Sequence, residues 1–335
     1  MYSVSAATDR ALLSDYVVGH VNGNFFQTPE VSKVYGLTKG YEPLSLIVTD
    51  ENGTICGSLL SVIQTEDIPI LSKYTSRAVI TGGPLVNAEN SYEIAKELIK
   101  TYDCTIGTKA LYTEIRNLWE QTNTHTVLEE NGYSPSPHLN ILVDLTKGEQ
   151  TVFNSISKTK RRNIIGSIEN GAEIVDSKNL DEIREFYNLL KDLYSHTIKK
   201  PLPEWSFFSS AFNVLHPKRM LKYFLIKFNG EVIGGIMCPI FKGTIYEWYI
   251  CGSREHRNQH PSELATWAPI QWGVRNNLSR FDFLGAGKPD QHYGVRSFKE
   301  GFGGMTTHPG RLKRIHSPLA FNLSKLAFNL SRTFT

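Results

Sequence analysis

No apolar run in the chain approaches the roughly 20 residues that a membrane-spanning helix needs, and Met1 to Arg10 lacks the apolar core of a secretory leader. Cysteine is scarce. Cys56, Cys104, Cys238 and Cys251 lie far apart without metal-ligand spacing. Neither a disulfide scaffold nor a metal site is expected, and a reduced, cytoplasmic setting fits. His256, His260, His292 and His308 also fall at no metal-binding spacing. Excess charge of one sign is absent too: 36 Lys and Arg against 33 Asp and Glu leave a net charge of +3. That excludes a dedicated DNA binder while allowing a local basic patch.

At 335 residues the chain is long for one hydrophobic core and comfortable for two. Two distant stretches say nearly the same thing. Leu46–Leu59 and Phe224–Met237 each read as strand, Asn-Gly turn, strand, with a matching glycine after the turn (Gly57 and Gly234). Asn52-Gly53 and Asn229-Gly230 suit type I′ hairpins, because both residues tolerate positive φ. One such hairpin means little; one in each half points to a duplicated unit.

The rest of the text agrees. The first half opens with helical segments at Ala11–Val18 and Pro29–Tyr35. After its hairpin come a strand at Ala78–Ile80 ending in Gly82-Gly83-Pro84, a helix at Tyr92–Thr101 and a strand at Ala110–Ile115. The apolar strand Leu139–Leu145 closes it. The second half starts with a polar helix over Glu149–Asn170 and an amphipathic helix over Asp181–Tyr194, with Ile183, Phe186, Tyr187, Leu190 and Leu193 inward. A helix from Pro203, three strands and a helix at Ser262–Val274, with Ser262 as N-cap, follow. A strand at Phe281–Leu284 then stops at Gly285-Ala286-Gly287. Both halves run helices, meandering strands, helix, strand, helix, Gly-aromatic and last strand, which is the order of a GNAT N-acetyltransferase fold. The expected fold class is therefore mixed α/β (α+β): two tandem GNAT domains, each a mostly antiparallel twisted sheet flanked by helices. The expected boundaries are 1–145 and 146–315, with a tail at 316–335 that packs on the body. The tail text from Ser317 to Thr335 suits a short amphipathic helix, for which peripheral membrane contact is the weaker reading.

An ordered set of segments carries a closer resemblance. It comprises Leu139–Lys147, Ser157–Arg162, Asn170–Ile174, Asn229-Gly230-Glu231, Tyr246–Tyr249, Phe281–Ala286 and Phe298–Gly303. In this order they resemble the Fem-type (FemABX) peptidyltransferases, themselves tandem GNAT pairs, in the compact form without a helical arm. The resemblance implies an acyltransferase that moves an amino acid from aminoacyl-tRNA to a primary amine of a cell-wall or envelope precursor. Such work belongs in the cytoplasm, at the inner face of the membrane, and requires no cofactor beyond the donor.

Amide formation needs an amine, an activated carbonyl and stabilisation of an oxyanion. Lys299, set between Phe298 and Gly301-Phe302, matches the family's active-site lysine that stabilises the donor's charge. Glu247 reads equally as a proton acceptor for the amine or as a satisfied sheet residue. On the same strand, Tyr246 and Tyr249 are substrate-binding candidates, and Trp248 is expected in the core. Asp282 and Phe298 complete the candidate site, Asp282 matching a family aspartate with a structural hydrogen-bonding role. The resemblance aligns Lys33 with an acceptor-phosphate contact, without the family's flanking tryptophan. It also sets Lys199-Lys200-Pro201 where the family has a phosphate-binding cation, with lysine in place of arginine and so without a bidentate fork. Lys158, Lys160, Arg161 and Arg162 form a dense basic run; on a helix this is usually a solvated face, and a tRNA donor would give it phosphates to meet.

One absence bears on the donor. The segment Arg254–Pro261, where a CoA-dependent GNAT has a glycine-rich pyrophosphate loop, contains no glycine, and Pro261 removes an amide donor. Two further functions stay open beside the first: an acyl-CoA-dependent N-acyltransferase of an amino sugar or lipid intermediate in surface polysaccharide synthesis, and a non-catalytic GNAT pair acting as a binding module.

Overall fold

The computed structural model describes residues 2–65, 76–120 and 124–323. The chain forms two compact units: residues up to Pro137 together with the segment from Pro309 onward, and residues His138–His308.

The first unit contains strands β1 (Ser3–Ala6), β2 (Tyr41–Thr49), β3 (Ile55–Gln64), β4 (Arg77–Thr81), β5 (Leu85–Val86), β6 (Tyr112–Arg116) and β7 (Ser134–Ser136), with helices α1 (Arg10–Gly19), α2 (Pro29–Gly36), α3 (Ser91–Ile106) and α4 (His125–Glu130). The second begins with β8 (Asn140–Asp144), α5 (Glu149–Ser155), α6 (Lys158–Glu169), β9 (Ala172–Ser177) and α7 (Leu180–Leu193). A π-helical turn at Tyr194–Ile198 leads to α8 (Trp205–Leu215). Then come β10 (Leu221–Phe228), β11 (Glu231–Phe241), β12 (Thr244–Tyr246), β13 (Tyr249–Gly252), α9 (Pro261–Arg275), β14 (Arg280–Asp282), α10 (Gly294–Glu300) and β15 (Met305–Thr307). The last strand, β16 (Arg311–Ile315), returns to the first unit.

Among the described residues the two sheets have the same plan. The first runs β1-β2-β3-β4-β6-β16-β7, with β5 also on β3; the second runs β9-β10-β11-β12-β14-β8-β15, with β13 also on β11. In each, one internal pair is parallel, β4 with β6 and β12 with β14. The tandem GNAT expectation holds. The boundary at residue 145 does not. β8, expected to close the first half, instead hydrogen-bonds between β14 and β15, while β16 fills the matching place between β6 and β7. Only the first sheet thus takes a strand from beyond the other unit's sequence, β16; β8 opens the second unit's own continuous stretch. Of the tail expected at 316–335, the described part reaches residue 323 and is helical over 318–323; what was expected of residues 324–335 lies outside the described residues.

The cores follow the sequence pattern. Leu59, Ile80, Leu98, Ile99 and Ile115 anchor one cluster. Ile141, Ile226, Ile236, Ile245, Phe281 and Phe302 anchor the other. On α7, Ile183, Phe186, Tyr187 and Leu190 are buried as expected, while Leu193 is half-buried.

Three local expectations change. Asn229-Gly230 does carry two positive φ values, 51° and 83°, but at Asn52-Gly53 only the glycine does. There Asp50 Oδ1 accepts from the Asn52 and Thr54 amides at 2.9 and 2.8 Å, opening a wider loop. The helix expected over 149–170 breaks at Ile156-Ser157, because the Ser157 amide donates to Gly301 O (2.9 Å) after the end of α10. Helix α9 begins at Pro261, so its N-cap is His260 rather than Ser262.

Candidate active site

A proline shapes the site. Along a strand, successive amides point to opposite neighbours. In β11 the Ile240 amide donates to Met220 O (2.9 Å), toward β10, so residue 239 should donate toward β12. Residue 239 is Pro239, which has no N–H to give. A bulge forms there: between the pairs Ile240–Ile245 and Met237–Tyr249, two residues of β11 face three, Tyr246 to Trp248. The Glu247 amide donates to Asp282 O at 2.8 Å, and the next amide, of Trp248, turns back to Met237 O at 3.0 Å. Past this point the two parallel neighbours diverge. β13 stays with β11, while Phe283 and Ala286 donate to Ile141 O and Leu139 O beside β8. Glu247 sits at the vertex of that fork.

Lys299 spans it. Its ammonium donates to Phe283 O and Gly285 O, both at 2.9 Å, on one arm, and lies 2.8 Å from Glu247 Oε1 at the vertex. Those contacts use all three N–H groups. Lys299 is 8% exposed and Glu247 7%. The other carboxylate oxygen, Glu247 Oε2, is buried and has no hydrogen-bond partner among the described residues. An acceptor-only oxygen held in this way costs stability unless a ligand fills it.

The structure therefore brings Lys299 and Glu247 together and changes their expected parts. Lys299 has no spare N–H to aim at an oxyanion; it fixes the carboxylate and ties the arms of the fork. Asp282 lies next to the vertex, but its Oδ1 accepts from Asn140 Nδ2 and the Leu284 amide, each at 2.8 Å, which is the structural role expected of it. Burial raises its carboxyl above the usual range, against the lowering pull of those bonds. The alternation expected over Tyr246–Tyr249 fails at the bulge: Tyr246 and Glu247 are both buried, and Trp248 and Tyr249 both half-buried. Trp248 is accordingly not a core residue. Its ring meets Phe207 of α8 at 5.0 Å, and Tyr249 meets Phe207, Phe208 and Tyr194 at 5.8, 5.2 and 6.4 Å.

The basic run divides. Lys158 and Arg162 are exposed, and Arg161 donates to Asn154 Oδ1 at 3.1 Å. Lys160 does not fit the expected tRNA contact: its ammonium lies 3.6 and 4.9 Å from the ring centres of Phe298 and Phe302, and 3.9 Å from Glu263. Burial lowers its pKa, against the pull of Glu263. Phe298 is thus a partner of Lys160, on the helix that carries Lys299. Lys199, Lys200 and, in the first unit, Lys33 are exposed, with Lys199 in the left-handed region at φ 51°.

Sequence reasoning missed Pro239, Tyr194 and Tyr293. Pro239 was legible, since proline inside a strand is confined to edges and bulges. The phenol of Tyr194 is pushed above its ordinary pKa by burial first, then by the charges of Cys251, Tyr293 and Glu247, which sets it in the field of the candidate site. Its π-helical turn leaves no readable mark on the sequence.

At the start of α9, the Glu263 and Leu264 amides already donate to His260 O at 3.0 and 3.2 Å. With Pro261 lacking a donor and Glu263 in the first turn, that helix end holds little for a pyrophosphate.

The first unit has the same fork, filled differently. The Gly82 amide donates to Arg116 O (2.9 Å), as Glu247 does to Asp282, and the position matching Pro239 is Leu60. Leu60 keeps its N–H, and Gln27 Oε1 accepts it at 2.8 Å. Gln27 Nε2 donates to Leu60 O and Thr81 O at 3.2 and 2.8 Å, and Asn24 Nδ2 to Gly82 O at 2.6 Å. Two neutral amides plug this fork; among the described residues no carboxylate stands at its vertex.

The family described as acetyltransferase (GNAT) domain matches residues 157–294. A comparison of the sequence with curated proteins found no match. The fold is similar to the crystal structure of FemX, with a TM-score of 0.71 and 16% identity over 96% of this chain and 99% of that one. It is also similar to the C-terminal domain of a lysylphosphatidylglycerol synthetase from Agrobacterium fabrum (TM-score 0.60, 12% identity, 98% and 96% covered). A tandem GNAT protein of the clavulanic acid biosynthesis pathway gives a TM-score of 0.58 at 12% identity, with 95% and 99% covered. Residues 157–294, within the second unit, match the GNAT acetyltransferase domain, and the chain as a whole has a tandem GNAT fold.

Proposed function

We propose that the second unit joins an aminoacyl group to a primary amine of a cell-wall or envelope precursor, with aminoacyl-tRNA as donor. The observation that carries this reading is the unpartnered Glu247 Oε2, a buried carboxylate oxygen waiting for an N–H. The acceptor amine donates to it and attacks the ester carbonyl of the donor. A carbon–nitrogen bond forms and the carbon–oxygen ester bond breaks; Glu247 takes the proton from nitrogen and passes it to the ribose oxygen, which leaves as a hydroxyl. Lys299 positions the carboxylate through its 2.8 Å contact with Oε1. The poor anion cradle at α9 supports a donor other than CoA. FemX and the lysylphosphatidylglycerol synthetase, as fold neighbours, suit an aminoacyl donor and an envelope acceptor.

The acetyltransferase description of the matching family favours a second reading, acyl-CoA transfer to an amino sugar or lipid amine. One assay separates the two. Purified protein is given aminoacyl-tRNA or acyl-CoA with a nucleotide-linked precursor bearing a primary amine, and amide product is measured. The proposal expects product from the aminoacyl ester and a loss of about 10²- to 10⁴-fold in Glu247→Gln, the usual worth of a general base. Wild-type rates in Glu247→Gln, or product only with acyl-CoA, defeat it.

A further inference from the structure

Helix α6 leaves one face without a partner in its own unit. Ile165 and Ile168 are 45% and 46% exposed there. The spacings Lys158, Arg162, Ile165 and Arg161, Ile165, Ile168 are both i, i+4, i+7, so cations and isoleucines share one stripe. Beside it lies a depression of about 390 Å³ lined by Phe153, Ile164, Ile165, Ile168 and Trp267. The carboxylate on its rim, Glu149, is bound by Arg275 and Gln271, at 2.6 to 2.7 Å, and does not repel an anion as a free carboxylate would. Arg161 Nε is buried and has no hydrogen-bond partner among the described residues.

We propose that this face of α6 docks on an anionic lipid surface. Ile165 and Ile168 enter the boundary between headgroups and acyl chains, the apolar depression covers lipid methylenes, and Lys158, Arg161 and Arg162 meet the phosphates. The chemistry favours lipid over RNA. RNA phosphates would satisfy the cations, but nothing in RNA complements two exposed isoleucines and an apolar hollow. The nearby rings that could stack on bases, Phe298 and Phe302, are covered by Lys160. The surface is separate from Glu247 and Lys299, so the inference stands or falls apart from the proposed reaction.

The test is sedimentation of the full chain with vesicles of phosphatidylcholine alone or mixed equally with phosphatidylglycerol, with inorganic phosphate and a transfer RNA as competitors. Binding is expected to the mixed vesicles, not to the neutral ones, and to survive millimolar phosphate. Lys158→Gln with Arg162→Gln should weaken it about thirty-fold, from the known contribution of each cation near an anionic surface. Ile165→Ser with Ile168→Ser should weaken it at least tenfold. All four side chains are exposed or half-exposed, so unchanged thermal unfolding of the variants is expected. Equal binding to both vesicle types, no binding to either, or variants that sediment like wild type overturn the proposal. So does tRNA binding that the variants lose while vesicle binding persists.

Discussion

Replacing Lys299 with methionine keeps the length of the side chain and removes its charge. Three contacts vanish: the hydrogen bonds to Phe283 O and Gly285 O and the ion pair with Glu247. What remains is a carboxylate 7% exposed with both oxygens unpartnered, and two carbonyls without their donor. Breaking a buried pair from one side typically costs about 3–5 kcal/mol, because the surviving charge is left uncompensated. Lys299→Met should therefore lose about 3–5 kcal/mol. Glu247→Gln, which keeps an acceptor for the ammonium, should lose only about 1–2 kcal/mol. In the double variant Glu247→Leu/Lys299→Met no charge is stranded, but the two carbonyls stay unpaired, so the loss should be about 2 kcal/mol. Glu247→Leu alone strands the ammonium and should cost at least about 1 kcal/mol, so the cycle closes with a coupling of at least about 2 kcal/mol. Urea unfolding followed by tryptophan fluorescence reads the relevant unit, since Trp205, Trp248, Trp267 and Trp272 all lie in it. A loss below about 1 kcal/mol in Lys299→Met, or strict additivity in the cycle, would refute the account of the fork.

The remaining expectations concern the first unit. His316 is held neutral by burial and by the nearby Arg314 charge, with its pKa lowered to about 4, and its Nε2 lies 2.7 Å from Thr113 Oγ1. The unfolded chain binds this proton near pH 6.5 and the folded one near 4, so stability is full above pH 6.5 and falls as pH drops toward 4. Allowing for partial exposure, the fall should be about 1–2 kcal/mol; His316→Gln should lack that component when urea midpoints at pH 7 and pH 4.5 are compared, and an identical pH slope would count against it. Gln27→Leu strips the Leu60 amide and the Leu60 and Thr81 carbonyls of their partner, so unfolding of the first unit should become easier by about 2–4 kcal/mol, read by hydrogen exchange at Leu60. Unchanged protection at that amide would mean the fork closes without its plug.

Much of the architecture was legible because it rests on local chemistry. The Asn229-Gly230 turn, the inward face of α7 and the strand at Phe281 are each written in a few adjacent residues. The sheet that β8 and β16 each join is not, since only long-range hydrogen bonding decides it. The break at Ile156-Ser157 escaped for a similar reason: it depends on a carbonyl of Gly301, far along the chain. At the site, Lys299 and Glu247 were recognisable from their surrounding text, but their mutual contact was not. Lysine in a Phe-Lys-x-x-Phe setting says that the stem is packed; it does not say which acceptors saturate the ammonium. The Lys160 ring contacts were likewise hidden, because a run of four cations reads as solvated until its neighbours are known.

The two forks explain why a carboxylate can stand in one of them. A strand that parts from its neighbour exposes an amide and carbonyls that must find other partners. The first unit meets that demand with side chains: Gln27 and Asn24 occupy the vertex, and their amides satisfy Leu60, Thr81 and Gly82. With the vertex filled, nothing else fits; a Cβ on Gly83 would already lie 2.8 Å from Gln27. The second unit removes part of the demand at its source, since Pro239 presents no amide where Leu60 does. What is left, the carbonyls of Phe283 and Gly285, is met from the side by Lys299. The vertex then needs no plug, and Glu247 can turn a carboxylate into it with one oxygen fixed and one free. On this argument the proline, the lysine and the glutamate form a single device: each residue is tolerable in the core of a sheet only because the other two are there.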